Sequence, residues 1–236
     1  MSEVDVSTVV ITGASRGIGL ELCRRCAARG DRVIATCRTP SSADALQAVA
    51  VSQSTVSVVE LDVASTDSVQ AAFREISKQA SKIDVLINNA GQNNRSSFED
   101  FDADSFLAVL DVNAVGPLRV TRAALELLDK SDGPRVGFVS SQLGSLSIQA
   151  AGFGSLDYNV SKAALNMVSR KLSFELAERR ILTAAIHPGW VKTDMGGQSA
   201  PLSASESATG ILAVLDELNE AGSGGFYRFD GTVHPW

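Results

Sequence analysis

The sequence predicts an α/β protein: one domain built on a doubly wound parallel sheet of about seven strands, with helices on both faces. Three observations carry that prediction. Seven short runs are almost continuously apolar and β-branched, as strands covered on both faces are. Between them lie helix-length segments with apolar residues three and four apart. The first run also feeds directly into a turn with three glycines. Repeated strand–helix–strand alternation implies right-handed crossovers and a doubly wound sheet.

In chain order the strand runs are Thr8–Thr12, Arg32–Cys37, Val56–Leu61, Val85–Asn88, Val136–Ser140, Thr183–His187 and Phe226–Phe229. The clearest helical segments are Gly17–Arg29, Asp67–Gln79, Ala103–Leu128, Asp157–Glu178 and Ala204–Asn219. Ser65 and Thr66 are candidate N-caps for the second helix, with Asp67 in its first turn. Loops are expected at Gln92–Ser97, Gly144–Ser155, Gly196–Ser207 and Ala221–Gly225. Length alone, 236 residues, allows one domain or two. No Pro-rich linker, repeat or low-complexity tract interrupts the chain, so residues 1–236 read as one domain.

Composition narrows the function. Hydrophobic residues make up 44% and charged residues 20%, which excludes general disorder. A net charge of −6 with no dense basic run argues against nucleic acid as the main partner. Three cysteines are an odd number, which fits a reducing, cytoplasmic setting better than a disulfide framework. No apolar run approaches the roughly 18 residues that span a bilayer, and Met1–Asp5 lacks the basic start of a signal peptide. No membrane partner is expected.

The glycine turn reads Thr12-Gly13-Ala14-Ser15-Arg16-Gly17-Ile18-Gly19. Glycines there allow a tight strand-to-helix turn and a close approach of the main chain to a ligand. The following helix N-terminus offers free N–H groups to a pyrophosphate. This is a Rossmann-type arrangement, with Gly13, Ser15, Arg16, Gly17, Ile18 and Gly19 against the dinucleotide. At the end of the second strand an NAD site usually places an Asp or Glu for the ribose hydroxyls. Here Cys37 and Arg38 stand in that place, with Arg16 in the glycine turn. Two arginines would pair with a 2′-phosphate, so the expected cofactor is NADP(H) in preference to NAD(H). Asp62, followed by Val63 at the end of the third strand, is placed to accept from an adenine amino group. Asn89-Ala90-Gly91 follows the fourth strand, where small residues let the backbone run beside a cofactor and an asparagine can bond neighbouring strand ends.

Tyr158 and Lys162 are four apart near the start of a long helix, so both project from one face. An ammonium and a nicotinamide cation nearby would stabilise the phenolate and lower its pKa. Ser141 ends the fifth strand, where its hydroxyl can bond a substrate carbonyl. Asn113 interrupts a long helix with a residue of poor helical propensity, which suggests a bound water or a local task.

These features together resemble the short-chain dehydrogenase/reductase family, from about Thr8 to the end of the chain. The landmarks are TGASRGIG (12–19), LDV (61–63), NNAG (88–91), Asn113, Ser141, YNVSK (158–162) and HPGWVKTDM (187–195). Tyr158 follows Ser141 by 17 residues, more than in many members. With Gly224-Gly225-Phe226 and the tail Asp230–Trp236, this is similar to the sniffer/C-factor-like carbonyl reductases. The resemblance implies a catalytic set of Asn113, Ser141, Tyr158 and Lys162. Tyr158 would donate a proton, Lys162 would lower its pKa and hold the nicotinamide ribose, Ser141 would orient the carbonyl, and Asn113 would hold a water. It also implies that Pro188, Gly189, Val191 and Thr193 run past the nicotinamide, that residues 194–207 form a substrate lid, and that the chain pairs into a homodimer or homotetramer. The implied reaction is reduction of an aldehyde, ketone or quinone. Leu143, Leu146, Ile148, Phe153 and Trp190 give the expected substrate mouth an apolar tone.

Other signals are discounted. Cys23 and Cys26 have a CxxC spacing but lie inside a helix with no second Cys/His pair, so no metal site is expected. His187 and His234 have no catalytic partner motif, and the sequons at Asn94 and Asn159 read as chance matches. Two other functions stay open: an alcohol dehydrogenase working oxidatively, and a dinucleotide-binding sensor with little turnover.

Overall fold

The computed structural model describes residues 6–148 and 154–236. Strands β1 (Thr8–Ile11), β2 (Arg32–Cys37), β3 (Val56–Glu60), β4 (Val85–Asn88), β5 (Arg135–Val139), β6 (Leu182–His187) and β7 (Gly225–Arg228) form one sheet. Its order is β3-β2-β1-β4-β5-β6-β7, and every pairing is parallel. The chain therefore reverses its direction of travel between β1 and β4, which opens a crevice at the C-terminal ends of those strands. Each strand lies within about one residue of its predicted place.

Strand side chains alternate between two cores. Val9, Ile11, Val33, Ala35, Val85, Ile87, Ala184 and Ile186 pack with α1 (Gly17–Ala28), α2 (Asp44–Ser52) and α7 (Ala204–Glu217). Val10, Ile34, Leu86, Val136 and Phe138 face α3 (Thr66–Gln79), α5 (Gly116–Leu128) and α6 (Leu156–Glu175). Both faces are covered, which is why the strands read as continuous apolar runs. Ser65 caps α3 by accepting from Ser68 N, and Thr66 is the first helical residue.

Three departures from the sequence expectation have local causes. Helix α2 was not predicted; it is short, has no side-chain cap, and buries only Leu46 and Val49. Its stability comes from packing on the sheet rather than from a pattern visible in nine residues. The helix expected over 103–128 is divided into α4 (Ala103–Leu110), a π turn (Asp111–Val115) and α5. Helix α6 ends at Glu175 rather than Glu178, because a 3₁₀ turn over Ala177–Arg179 and a left-handed Arg180 redirect the chain into β6. Residues 149–153 of the stretch expected as a loop at 144–155, Phe153 among them, lie outside the described residues, and Gln142–Gly144 is a 3₁₀ turn. No helix among the described residues is long and apolar enough to cross a membrane.

Phe138, fully buried at the centre of the sheet, measures the packing of the second core. Phe138→Ala is expected to cost about 3–5 kcal/mol. The expected result is a lower urea midpoint with an unchanged m-value; an unshifted midpoint would contradict the packing described.

Candidate active site

The crevice is a cleft of about 820 Å³, within the usual range for small-molecule sites. Its floor is the glycine turn. Gly13 and Gly17 take left-handed φ values of +66° and +57°. A Cβ on Gly13 would lie 2.8 Å from Ala90 Cα, so the turn also needs the absence of a side chain there. Asn89 fixes the turn from the neighbouring strand: its Nδ2 donates to the carbonyls of Thr12 (2.9 Å) and Gly13 (3.1 Å). Thr12 Oγ1 in return accepts from Asn89 N (3.0 Å) and Ala90 N (3.1 Å).

Helix α1 opens on this turn with no side-chain cap and no acidic residue in its first turn. Its first N–H groups are left for an anion, unlike those of α3, α4 and α7, which Ser65, Asp102 and Ser203 cap. The residues present therefore fit a pyrophosphate: a helix N-terminus free of side-chain competition, above a floor that glycine keeps open.

The expected cofactor residues Gly13, Ser15, Arg16, Gly17, Ile18, Gly19, Arg38, Asp62, Val63, Asn89, Ala90, Gly91, Pro188, Gly189, Val191 and Thr193 all line this one cleft. Their side chains are not equally available. Arg16 is paired with Asp194 at 3.0 Å across the mouth, whereas Arg38 is exposed. Asp62 Oδ1 accepts from Ala64 N at 2.9 Å, which shapes the turn after β3. Thr193 Oγ1 accepts from Gly196 N and donates to the Val191 carbonyl, so the hydroxyl is engaged within its own loop.

Residues 194–207, expected as a substrate lid, carry local ties. Val191 and Leu202 form a parallel bridge, Trp190 Nε1 donates to Gly196 O at 2.8 Å, and residues 204–207 already belong to α7.

At the other end of the cleft, α6 presents Tyr158 and Lys162 one turn apart. The Lys162 Nζ donates to the Val139 carbonyl at 2.8 Å and lies 5.6 Å from the Tyr158 ring centre. The Ser141 hydroxyl meets the Tyr158 phenol and accepts from Leu143 N at 3.1 Å. Burial pushes the Tyr158 phenol up to about 12, and the bond to Ser141 partly opposes that. Burial also brings Lys162 down to about 8.

Asn113 sits in the π turn and is fully buried. Its Nδ2 donates to Gln92 O (2.8 Å) and Ser161 Oγ (2.9 Å), and its Oδ1 accepts from Gln92 N (2.8 Å). Both amide hydrogens are committed, so a water at this residue would be held through an oxygen acceptor. The same bonds tie the chain after β4 to α6. Sequence reasoning missed Gln92 and Ser161 as its partners, and Thr12 as the hinge pin of the glycine turn. The signal for Ser161 was present in YNVSK, where a small hydroxyl stands between Tyr158 and Lys162.

Of the apolar residues expected at the substrate mouth, Leu143 and Trp190 line the cleft, while Leu146 is exposed elsewhere. Cys23 and Cys26 are buried thiols in α1, and burial pushes both pKa values up. Among the described residues no cluster of three or more His, Cys, Asp or Glu could hold a metal.

Comparison with known proteins agrees with this geometry. The family model for short chain dehydrogenases matches residues 7–202, and the chain belongs to that family of oxidoreductases. It is 44% identical to the C-signal protein of Myxococcus xanthus over 155 residues, 65% of this chain and 93% of that one. Its structure is similar to that of an NADPH-bound carbonyl reductase from chicken fatty liver, with a TM-score of 0.94, 34% identity, and coverage of 98% and 99% of the two chains. It is also similar to the carbonyl reductase Sniffer of D. melanogaster, with a TM-score of 0.91, 32% identity, and coverage of 98% and 100%.

The depressed Lys162 value has a direct test. Burial disfavours the charged form, so the ammonium holds its proton below about pH 8 and loses it above. NMR of labelled lysine should show one Nζ titrating about two units below a free lysine; a value above 10 would remove the burial argument.

Proposed function

We propose that the protein is an NADPH-dependent carbonyl reductase. The observation that carries this reading is the Tyr158 phenol, bonded to Ser141 and one helical turn from Lys162, in the same cleft as the glycine turn. A phenol hydrogen-bonded at the cleft suits donation to an oxygen on which negative charge is building. The cofactor, when bound, supplies a hydride to the carbonyl carbon. Gly13, Ser15, Arg16, Gly17, Ile18, Gly19, Asn89, Ala90 and Gly91 would hold its phosphates and inner ribose. Asp62 and Val63 would meet the adenine. Pro188, Gly189, Val191 and Thr193 would meet the nicotinamide.

The Ser141 hydroxyl orients and polarises the substrate carbonyl, and Tyr158 Oη delivers the proton. Lys162 stands beside the phenol ring, carries positive charge below about pH 8, and would hold the nicotinamide ribose. The substrate is a small aldehyde, ketone or quinone with an apolar body, which Leu143 and Trp190 in the cleft favour. Assembly into a homodimer or homotetramer is supported by the exposed apolar residues Leu107, Leu118, Met167 and Phe174 on α4, α5 and α6. Three free thiols support a cytoplasmic setting. NADP(H) over NAD(H) rests on Arg38 and Arg16 at the cleft, with no carboxylate at Cys37 or Arg38.

Tyr158→Phe keeps the ring and removes the proton. Carbonyl turnover should fall by about 10²- to 10⁴-fold with NADPH affinity retained; turnover preserved in this variant would refute the role of Tyr158. Arg38→Ala should weaken NADPH binding by roughly ten- to a hundredfold, from the loss of about 1.5–3 kcal/mol, and leave NADH unchanged. Parallel weakening of both, measured by calorimetry, would remove the 2′-phosphate assignment.

A further inference from the structure

The residues after β7 fold back over the end of the sheet and end against the loop that carries Ser141. Val233 pairs antiparallel with Tyr227, and His234 N donates to Phe226 O at 2.7 Å. The Pro235 carbonyl then accepts from Ser145 Oγ at 2.8 Å, and the Trp236 carbonyl accepts from Ser147 N at 2.8 Å. Side chains reinforce these backbone ties. Trp236 stacks on Phe226 with ring centres 5.3 Å apart, and His234 meets the edge of Phe226 at 4.8 Å. His234 also lies 5.6 Å from the ring of His187, which lines the cleft. Burial lowers the pKa of both imidazoles, so this layer packs as neutral rings.

The other side of the same loop rests on α6. A Cβ on Gly144 would lie 2.5 Å from the Lys162 backbone, and Asn166 Nδ2 donates to Gly144 O at 3.2 Å. The segment from Ser141 to Ile148 is thus held from two sides: by the helix that bears Tyr158 and Lys162, and by the C-terminal segment. The α6 side is fixed by close backbone contact. The tail side is held by two hydrogen bonds, from Ser145 Oγ and Ser147 N, and the tail is in turn held by the stack of Trp236 on Phe226.

We propose that the segment Val233–Trp236 positions Ser141 against Tyr158 by clamping the Ser145–Ser147 backbone, with Trp236 anchored on Phe226 and His234 backing His187 at the cleft wall. Trp236 and Ser145 are then positioning residues, which touch neither substrate nor cofactor. The proposal rests on the carbonyl-reductase reading for its kinetic consequence, but the clamp itself can be measured without turnover.

Trp236→Ala removes the anchor, Trp236→Phe keeps a ring on Phe226, and Ser145→Ala removes the hydrogen bond to Pro235 O, along with the one accepted from Ile148 N, without touching the tail's aromatic layer. In full-length protein, amide hydrogen exchange at Ser147 and its neighbours should speed up in Trp236→Ala and stay close to wild type in Trp236→Phe. With NADPH and a carbonyl that the wild type reduces, kcat should fall by about ten- to a hundredfold in Trp236→Ala, the scale of a catalytic group misplaced from a distance. It should recover in Trp236→Phe, while the NADPH dissociation constant measured by calorimetry stays unchanged. If Trp236→Ala does not fold, Ser145→Ala gives the same readings with a smaller kinetic loss. Unchanged exchange at Ser147 in these variants overturns the clamp, as does a loss of NADPH affinity that parallels the loss of turnover. A wild-type protein that reduces no carbonyl would instead refute the reductase reading and leave the exchange result to decide the clamp.

Discussion

The site depends on four hydrogen bonds where β1 and β4 part. Asn89 donates to the carbonyls of Thr12 and Gly13, and Thr12 accepts from the amides of Asn89 and Ala90. Two parallel strands that diverge leave backbone groups without ladder partners, and a crevice cannot stay open unless those groups are satisfied. The side chains of Thr12 and Asn89 supply the missing partners. They thereby fix the glycine turn, the start of α1 and the backbone of Ala90 and Gly91 in one rigid unit. The expected pyrophosphate contacts hang from it.

A second unit is α6. Its buried face carries Asp157, Ser161, Lys162, Leu165, Asn166 and Ser169, mostly polar where a helix on a sheet is ordinarily apolar. Three of these polar groups reach different elements. Ser161 binds Asn113 in the π turn, Lys162 binds the carbonyl of Val139 in β5, and Asn166 binds Ser140 and Gly144. A buried polar network of this kind is costly when partly made and rigid when complete. Here it orients the helix that bears Tyr158.

The sheet was legible because strands buried on both faces leave a pattern no neighbouring loop imitates. Val9, Val10 and Ile11 needed only their own side chains to declare themselves. The glycine turn was legible for a similar reason, since its backbone geometry restricts the residue type at Gly13. What escaped notice depends on contacts made far along the chain. Helix α2 exists because Leu46 and Val49 find the sheet. The break at Asp111–Val115 showed only as an unfavoured Asn113, whose partners, Gln92 and Ser161, lie 21 and 48 residues away. The ionisation of Tyr158 could not be read from the spacing of Tyr158 and Lys162. The spacing sets which face they share; the depth of burial, opposed in part by the bond to Ser141, sets the sign of the shift.

The ion pair between Arg16 and Asp194 joins the floor of the cleft to the loop after β6, with both side chains about three-quarters exposed. An exposed pair of this kind is held by well under the energy of a buried one and weakens as salt screens it. An anion paired with Arg16 would therefore replace an existing ionic partner, Asp194, instead of meeting a bare charge.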